Sequence, residues 1–378
     1  SFIMSSLYIH IPFCIQKCLY CDFISFAGKQ YLYSDYTEAL ISEIIKKSDI
    51  CHNNVIQTIF FGGGTPTILP LTFLEKILNT IFQYYTVSPC AEITIEANPG
   101  TLSFSVLHSL HSMGFQRISI GLQSWQNELL QSIGRIHNRT TFLQNFYHAR
   151  KAGFENINVD IMFCLPNQTY SQWQETLYSI VYLQPEHISA YSLILEQGTP
   201  LFALFEQNKI SLPDEILDRA MYHTAQNILS QYGYEQYEIS NFAKNGYQSR
   251  HNKVYWQTKQ YLGFGLGAHS FWQNTRFHNT YDMKKYIHSN GNIHSLTEDI
   301  EHLTISQQQS EFMFMGLRMT KGISAIDFQK RFSVPLNSVY GKQIHFLIQQ
   351  NLIQQKQDRY FLTHRGMDLS NTVFCEFL

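Results

Sequence analysis

The feature that most restricts the fold is a regular alternation of strand-like and helix-like segments in the first half of the chain. Six segments predict strands, which are Leu7–Phe13, Gln57–Phe61, Ala91–Ala97, Arg117–Gly121, Asn156–Phe163 and His187–Leu195. The intervening segments, such as Asp35–Lys47 and Leu71–Tyr85, have the apolar spacing of helices. This alternation predicts parallel strands joined by helical crossovers. The pattern allows either a partial barrel or a doubly wound open sheet.

The alternation ends after Leu195, and a different organisation follows. A long helix is predicted over Asp214–Tyr232. The glycine-rich segment Tyr261–Phe271 carries Ala268-His269-Ser270 near its end, and the polar segment Thr280–Thr297 is typical of a connector. We interpret residues 201–298 as an extension of the barrel formed by residues 1–200.

The C-terminal region, residues 299–378, predicts a small module of its own. A helical segment begins near Glu301, the helices Ile323–Phe332 and Leu336–Gln350 follow, and two short strands flank a turn at Asp358. This order is typical of a winged-helix domain. The net charge is −2 and no basic stripe is present, so no nucleic-acid partner is expected.

The seven cysteines and the lack of targeting segments predict a cytoplasmic protein. An odd number of cysteines, three of them closely spaced, argues against a disulfide framework and for a reducing compartment. No stretch reaches the roughly 18 apolar residues of a membrane span. The first residues lack the positive charge of a signal peptide. Peripheral contact with a membrane stays open.

Cys14, Cys18 and Cys21 form a C-x3-C-x2-C motif. Thiolates are the usual ligands of iron–sulfur clusters. Three of them would leave one iron of a [4Fe–4S] cluster with an open coordination position, which is the mark of a reactive metal site. A zinc site completed by His10, or three free thiols, are the alternatives. The other cysteines provide no second pair, since they are the isolated Cys51, Cys90, Cys164 and Cys375.

Polar residues stand where the predicted strands end. Gly62-Gly63-Gly64-Thr65 follow the second strand, and Glu96, Gln123 and Asp160 stand at or near the ends of the next three. Ligands of parallel β/α folds gather at the carboxyl ends of strands, and glycine lets the backbone approach them closely. A tight turn and capping of loop backbone are the alternative interpretations.

Together these motifs resemble the radical S-adenosylmethionine (SAM) superfamily, and within it the coproporphyrinogen dehydrogenase-like branch. The resemblance rests on Tyr8–Cys14, the cysteine triad, Gly62–Pro66, Glu96–Pro99, Gly121–Ser124 and Asn158–Ile161. It implies a partial (β/α)6 TIM-like barrel with a C-terminal winged-helix-like domain. It also implies a [4Fe–4S] cluster on the three cysteines and SAM on the open iron. The SAM site would comprise Tyr8, Tyr20, Gly64, Thr65, Glu96, Gln123, Arg135 and Asp160.

Two features distinguish members of this branch. His251-Asn252-Lys253-Val254-Tyr255-Trp256 matches the H-N-x-x-Y-W motif and is similar to that of HemW-type haem chaperones. Histidine is a common haem ligand, so the resemblance implies His251 as the axial ligand and Tyr255 and Trp256 as flat apolar surface for the porphyrin. Phe23 stands where the catalytic dehydrogenase carries a further cysteine.

These features favour a haem chaperone that passes haem to acceptor apoproteins such as respiratory haem enzymes. An electron donor for the cluster is implied, and a homodimer is compatible with the sequence. The alternative is an enzyme, the oxygen-independent coproporphyrinogen III oxidase, which decarboxylates propionates by radical chemistry. A structural role for His251, beside a core aromatic pair, also stays open.

Overall fold

The structure is a computed structural model that describes residues 2–378. Within this range the strands, in chain order, are β1 (Ile3–Ile11), β2 (Phe13–Cys14), β3 (Phe26–Ala27), β4 (Asn54–Gly63), β5 (Thr86–Ala97), β6 (Arg117–Gln123), β7 (Asn156–Phe163), β8 (His187–Ser192), β9 (Glu235–Gln236), β10 (Asn241–Ala243), β11 (Tyr261–Phe264), β12 (His269–Trp272), β13 (Thr275–Asn279), β14 (Thr297–His302), β15 (Ile323–Ser324), β16 (Ile353–Lys356) and β17 (Arg359–Leu362). The helices of the same range are α1 (Tyr33–Lys47), α2 (Leu71–Tyr84), α3 (Phe104–Met113), α4 (Asn127–Ser132), α5 (Arg139–Ala152), α6 (Tyr170–Leu183), α7 (Pro200–Glu206), α8 (Glu215–Gln231), α9 (Arg250–Trp256), α10 (Met283–His288), α11 (Ile293–Leu296), α12 (Ile305–Gly316), α13 (Ala325–Phe332), α14 (Leu336–Gln349), α15 (His364–Asp368) and α16 (Ser370–Cys375).

Twelve strands form one sheet in the order β14-β13-β12-β11-β1-β4-β5-β6-β7-β8-β10-β9. The six strands from β1 to β8 run parallel and follow one another in chain order. A doubly wound sheet would reverse its order at a switch point, so this topology confirms the predicted partial barrel. No strand pairing within residues 2–378 joins β14 to β9, and the barrel therefore stays open.

Side chains of the barrel strands alternate between an apolar outer face and a polar inner face, as the two-residue period of a strand requires. In β7, Ile157, Val159 and Ile161 are buried in the main hydrophobic core. Asn158 and Asp160, which lie between them, face the lumen of the barrel. The polar inner face is what prepares this barrel to hold a ligand instead of a packed apolar interior.

The segment predicted as a polar connector, Thr280–Thr297, contains two short helices. Asp282 and Asn292 cap the starts of α10 and α11, where their side chains accept hydrogen bonds from backbone N–H groups. Such caps supply the acceptors that short helices otherwise lack, which explains why a polar sequence is helical here.

The C-terminal region has a hydrophobic core of its own. Met313, Phe328, Leu347 and Leu362 are among the buried residues that α12, α13, α14 and a three-stranded sheet bring together. The Ile239 N–H donates to the Arg318 carbonyl and so attaches this region to the barrel extension.

None of the helices within residues 2–378 combines the length and the hydropathy that a membrane span requires.

Candidate functional site

The cysteine loop lies at the carboxyl end of the barrel, between β1 and α1. Backbone pairing fixes its start, because Phe13 and Cys14 of β2 pair with β3 and the Thr65 N–H donates to the Phe13 carbonyl at 2.7 Å. Cys14, Cys18 and Cys21 all line one cavity of about 270 Å³ at the mouth of the barrel. The loop thus directs all three thiols toward the space above the strand ends.

The three thiols line the same cavity, and no further cysteine of the described chain lines it. Within residues 2–378, no three His, Cys, Asp or Glu side chains are grouped as ligands of one metal ion. His10 is no fourth ligand either, since its ring nitrogens contact the Tyr8 hydroxyl at 2.9 Å and the Ile24 carbonyl at 3.0 Å. Three thiols without a fourth ligand suit an iron–sulfur cluster better than a structural zinc ion, which takes four protein ligands.

The surroundings of the thiols fit a cluster with anionic ligands. Burial raises the pKa of the Cys14 and Cys21 thiols, so they are protonated when no metal is bound. The Arg135 guanidinium donates from Nη1 to Cys18 Sγ at 3.4 Å. This contact places a cation beside one of the three thiols that would bind iron.

The Gly62-Gly63-Gly64 segment packs against the cysteine loop. A Cβ on Gly64 would overlap the carbonyl oxygen of Phe13, and one on Gly63 would come within 2.7 Å of the Ile11 carbonyl oxygen. Only glycine permits this approach of two backbones. Thr65 follows directly and accepts a hydrogen bond from Asn98 Nδ2 at 2.7 Å.

Two carboxyl groups, Glu96 and Asp160, face the cavity from below. Burial and the nearby Asp160 raise the pKa of Glu96 from 4.5 to about 8, whereas Arg117 opposes the shift. Asp160 accepts a hydrogen bond from Asn158 at 2.8 Å, and burial raises its pKa. Glu96 has no hydrogen-bond donor among residues 2–378. A partly buried acceptor without a donor fits a site whose ligand brings positive charge.

The walls of the cavity hold the remaining polar groups in place. Gln123 ends β6 with a φ of 72°, an uncommon value for a residue other than glycine, and accepts from the Tyr191 hydroxyl at 3.1 Å. Arg135 Nη2 donates to the Gly121 carbonyl at 2.6 Å and to Asn98 Oδ1 at 2.8 Å. These contacts orient the side chains before any ligand binds.

Seven of the eight residues expected around SAM line this cavity, namely Tyr20, Gly64, Thr65, Glu96, Gln123, Arg135 and Asp160. Tyr8 lines a neighbouring groove instead. The cavity is also lined by inward-facing residues that were not among the predicted site residues, namely Arg117, Ser119, Asn158, Ser189 and Tyr191. The sequence does carry a pattern that could have identified them, because polar side chains stand at every second position of β6, β7 and β8.

His251 of the H-N-x-x-Y-W motif lies inside the barrel and is 1% exposed. Its Nδ1 contacts Thr58 Oγ1 at 2.7 Å and its Nε2 contacts the Tyr255 hydroxyl at 2.6 Å. Its ring stacks on Phe60, and burial lowers its pKa to about 3. Ligation of iron by this histidine would require one of these two contacts to open.

Helix α9, which carries the motif, is anchored at its N-terminus inside the barrel. The Arg250 and His251 N–H groups donate to the Glu92 carboxylate at 2.9 and 3.1 Å. Tyr255 reaches the groove beside the cysteine loop. Trp256 points elsewhere, since the Arg318 guanidinium lies 4.3 Å from its ring centroid. The structure therefore does not bring the three expected haem residues to one surface.

Comparisons with known proteins find similar sequences along the whole chain. The model of the radical SAM superfamily matches residues 8–179, and that of the HemN C-terminal domain matches residues 303–369. The haem chaperone HemW of Bacillus subtilis (strain 168) is 37% identical over 376 residues, which are 99% of either chain.

A mitochondrial relative and a solved structure extend this similarity. Radical S-adenosyl methionine domain-containing protein 1, mitochondrial, of Danio rerio is 34% identical over 371 residues, 95% of this chain and 81% of that protein. The solved structure of coproporphyrinogen III oxidase (HemN) from Escherichia coli has a TM-score of 0.86 and 21% identity, and the match covers 100% of this chain and 90% of that one. At 21% identity, this structural similarity is evidence for the fold alone.

Proposed function

Because the chain belongs to the HemW family of the radical SAM superfamily, we propose that it is a haem chaperone that binds haem and delivers it to acceptor haem proteins. The strongest support is the similarity to proteins of that name over nearly the full length of both chains. The geometry agrees, because three thiols and the strand-end residues of the superfamily share one cavity.

The cavity is the proposed site of the [4Fe–4S] cluster and SAM. Cys14, Cys18 and Cys21 would hold the cluster. The seven strand-end and loop residues that line the cavity would hold SAM. Tyr8, the eighth residue expected there, lines the neighbouring groove. When bound, the cluster and SAM supply one-electron chemistry at the sulfonium. The chain itself contributes Arg135, whose charge offsets that of the thiolates, and Glu96, a nearby acceptor for a cationic ligand.

The partners follow from this function. We propose apo-haem proteins as acceptors, respiratory haem enzymes among them, and an electron donor for the cluster. A homodimer and peripheral contact with a membrane are compatible with a cytoplasmic chaperone of this kind. Haem ligation by His251 stays a prediction, and a haem titration of His251→Ala tests it.

Haem binding and transfer are the decisive measurements. Anaerobically reconstituted protein is titrated with haem while the Soret band is recorded, and the loaded protein is then mixed with an apo-haem protein. We expect a saturable spectral change, followed by transfer of haem to the acceptor. Failure to bind haem would contradict the proposal.

The enzyme alternative, coproporphyrinogen III oxidation, is less favoured. Phe23 offers no thiol at the position of the dehydrogenase's further cysteine, and its side chain is 66% exposed. An anaerobic assay with cluster, SAM, reductant and coproporphyrinogen III is expected to give no product. Formation of protoporphyrinogen IX at turnover rates would favour the enzyme.

A further inference from the structure

We propose that haem docks in the groove beside the cysteine loop and that His269 ligates its iron. This inference rests on the proposed haem-chaperone function and assigns that function a site. The groove measures about 350 Å³ and opens to solvent between the cysteine loop, α9 and the strands β11 to β13.

The walls of the groove suit a flat aromatic ligand. Phe23, Tyr255, Tyr261 and Tyr281 line it, and Phe23 and Tyr281 are exposed. Aromatic side chains of this kind bind planar apolar surfaces through offset or edge contacts. Tyr255 and Tyr261 already meet edge to face, with ring centroids 4.8 Å apart. A porphyrin bound in the groove would cover the exposed rings of Phe23 and Tyr281.

His269 is the histidine of this groove that can bind iron without breaking its existing contacts. Its Nε2 contacts the Tyr281 hydroxyl at 3.0 Å, and Nδ1 makes no hydrogen bond to residues 2–378. Metal-bound histidines commonly donate their other N–H to an oxygen acceptor, which fixes the ring. Tyr281 offers that acceptor.

The neighbouring histidines are already engaged through both ring nitrogens. His10 contacts Tyr8 and Ile24. His278 contacts the Asn279 carbonyl and the Asp299 carboxylate, both at 2.7 Å. His251 is held in the lumen as described above. Of these four histidines, His269 is the one that lines the groove and has a ring nitrogen without a hydrogen bond to residues 2–378.

The fold holds His269 in place. It begins β12 and pairs with His278 of β13, and its ring lies 5.1 Å from the His278 ring. Its carbonyl oxygen packs so closely on Gly263 that a Cβ there would overlap it. The backbone of this position is therefore fixed by two strands, and the Tyr281 hydroxyl contacts the imidazole.

The H-N-x-x-Y-W motif reaches the groove through Tyr255. His251 contacts the Tyr255 hydroxyl at 2.6 Å, and the two rings meet edge to face. This contact makes His251 a positioning residue for one wall of the haem groove. Phe23 lines both the groove and the cysteine cavity, so bound haem would lie next to the cluster loop.

The test is haem titration of reconstituted His269→Ala, with His294→Ala as the matched control, since His294 is exposed on α11. We expect His269→Ala to lose the histidine-ligated Soret spectrum and at least about tenfold in affinity, with the control unchanged. Added imidazole is expected to restore the spectrum. Iron content and far-ultraviolet circular dichroism show whether each variant has folded.

The outcomes separate this inference from the proposed function. If wild-type protein binds no haem, the function fails. If wild type and His269→Ala bind haem with the same spectrum and affinity, the function stands and the His269 site is wrong. A spectral loss in His251→Ala that exceeds that of His269→Ala, and that imidazole reverses, would instead assign ligation to His251.

Discussion

The cavity at the mouth of the barrel and the groove beside it share the Phe23 wall, yet they are built from opposite kinds of side chain. The cavity takes charged groups such as Arg135, Glu96 and Asp160 from strand ends and loops of the first 160 residues. The groove takes aromatic rings, Tyr261 and Tyr281 among them, from the later strands and loops. One suits a small charged ligand, and the other a flat apolar one.

This difference fits the proposal that the barrel holds the cluster and SAM and that the groove, lined in part by the barrel extension, holds haem. The barrel positions polar groups because every second residue of its strands must face the lumen. The extension contributes Tyr255, Tyr261 and Tyr281 to the groove, where they meet residues of β1 and of the cysteine loop. The two sites can therefore be disabled separately, and the following changes are ordered by the size of the effect expected.

The largest effect is expected from Cys18→Ala, which removes one of three cluster ligands. Iron and sulfide content after reconstitution should fall close to zero, since the site has no spare thiol within the cavity. Haem affinity should stay within about threefold, because the groove is built from other residues. Cys375→Ala is the control, since Cys375 is exposed on α16. A parallel loss of haem binding would show that the two sites are not separable.

A smaller but still severe effect is expected from Gly64→Ala. The added Cβ would overlap the Phe13 carbonyl, so the cysteine loop must shift. We expect a loss of about 2–3 kcal/mol in the free energy of unfolding, with poor cluster assembly. Gly341→Ala is the control, because its Cβ would meet only Asn337 at 3.8 Å in helix α14. Equal stability of the two variants would contradict the close packing described here.

Glu96→Gln should change the pH dependence of stability. The pKa of Glu96 is raised from 4.5 to about 8, so its favourable contribution is fully present below about pH 4.5 and is lost as the pH rises through 8. Without SAM, the free energy of unfolding of the variant should therefore rise relative to that of wild type as the pH increases from 5 to 8, by up to about 1.4 kcal/mol for each pH unit. Denaturant unfolding at several pH values measures this. Two parallel profiles of wild type and Glu96→Gln would refute it.

The cysteines and seven polar or glycine residues of the cavity could be predicted from the sequence, but its other inward-facing residues and most of the groove could not. Cysteine spacing and strand-end motifs are local patterns, and the parallel topology brings strand ends to one edge. The direction in which His251 and Trp256 point depends on where α9 docks, and Arg318, which covers Trp256, is distant in the chain. Ala268-His269-Ser270 was visible as a motif, but its neighbours Phe23 and Tyr281 meet it only in the folded protein.

The smallest effect is expected from Tyr255→Phe. This variant is also the most direct test of how the H-N-x-x-Y-W motif contributes to the groove. The change keeps the ring but removes the hydroxyl that contacts His251 Nε2. One buried nitrogen then lacks a partner, which costs about 1 kcal/mol of unfolding free energy. Denaturant unfolding measures this cost, with the exposed Tyr182→Phe as control.

Haem affinity of Tyr255→Phe should fall by less than about threefold, because a single neutral hydrogen bond positions the ring and the ring itself makes the contact. Tyr255→Ala should weaken haem binding more, since it removes one wall of the groove. If the phenylalanine variant instead loses haem as completely as the alanine variant, the hydroxyl or the histidine behind it acts on haem directly, and the motif belongs to the ligand shell.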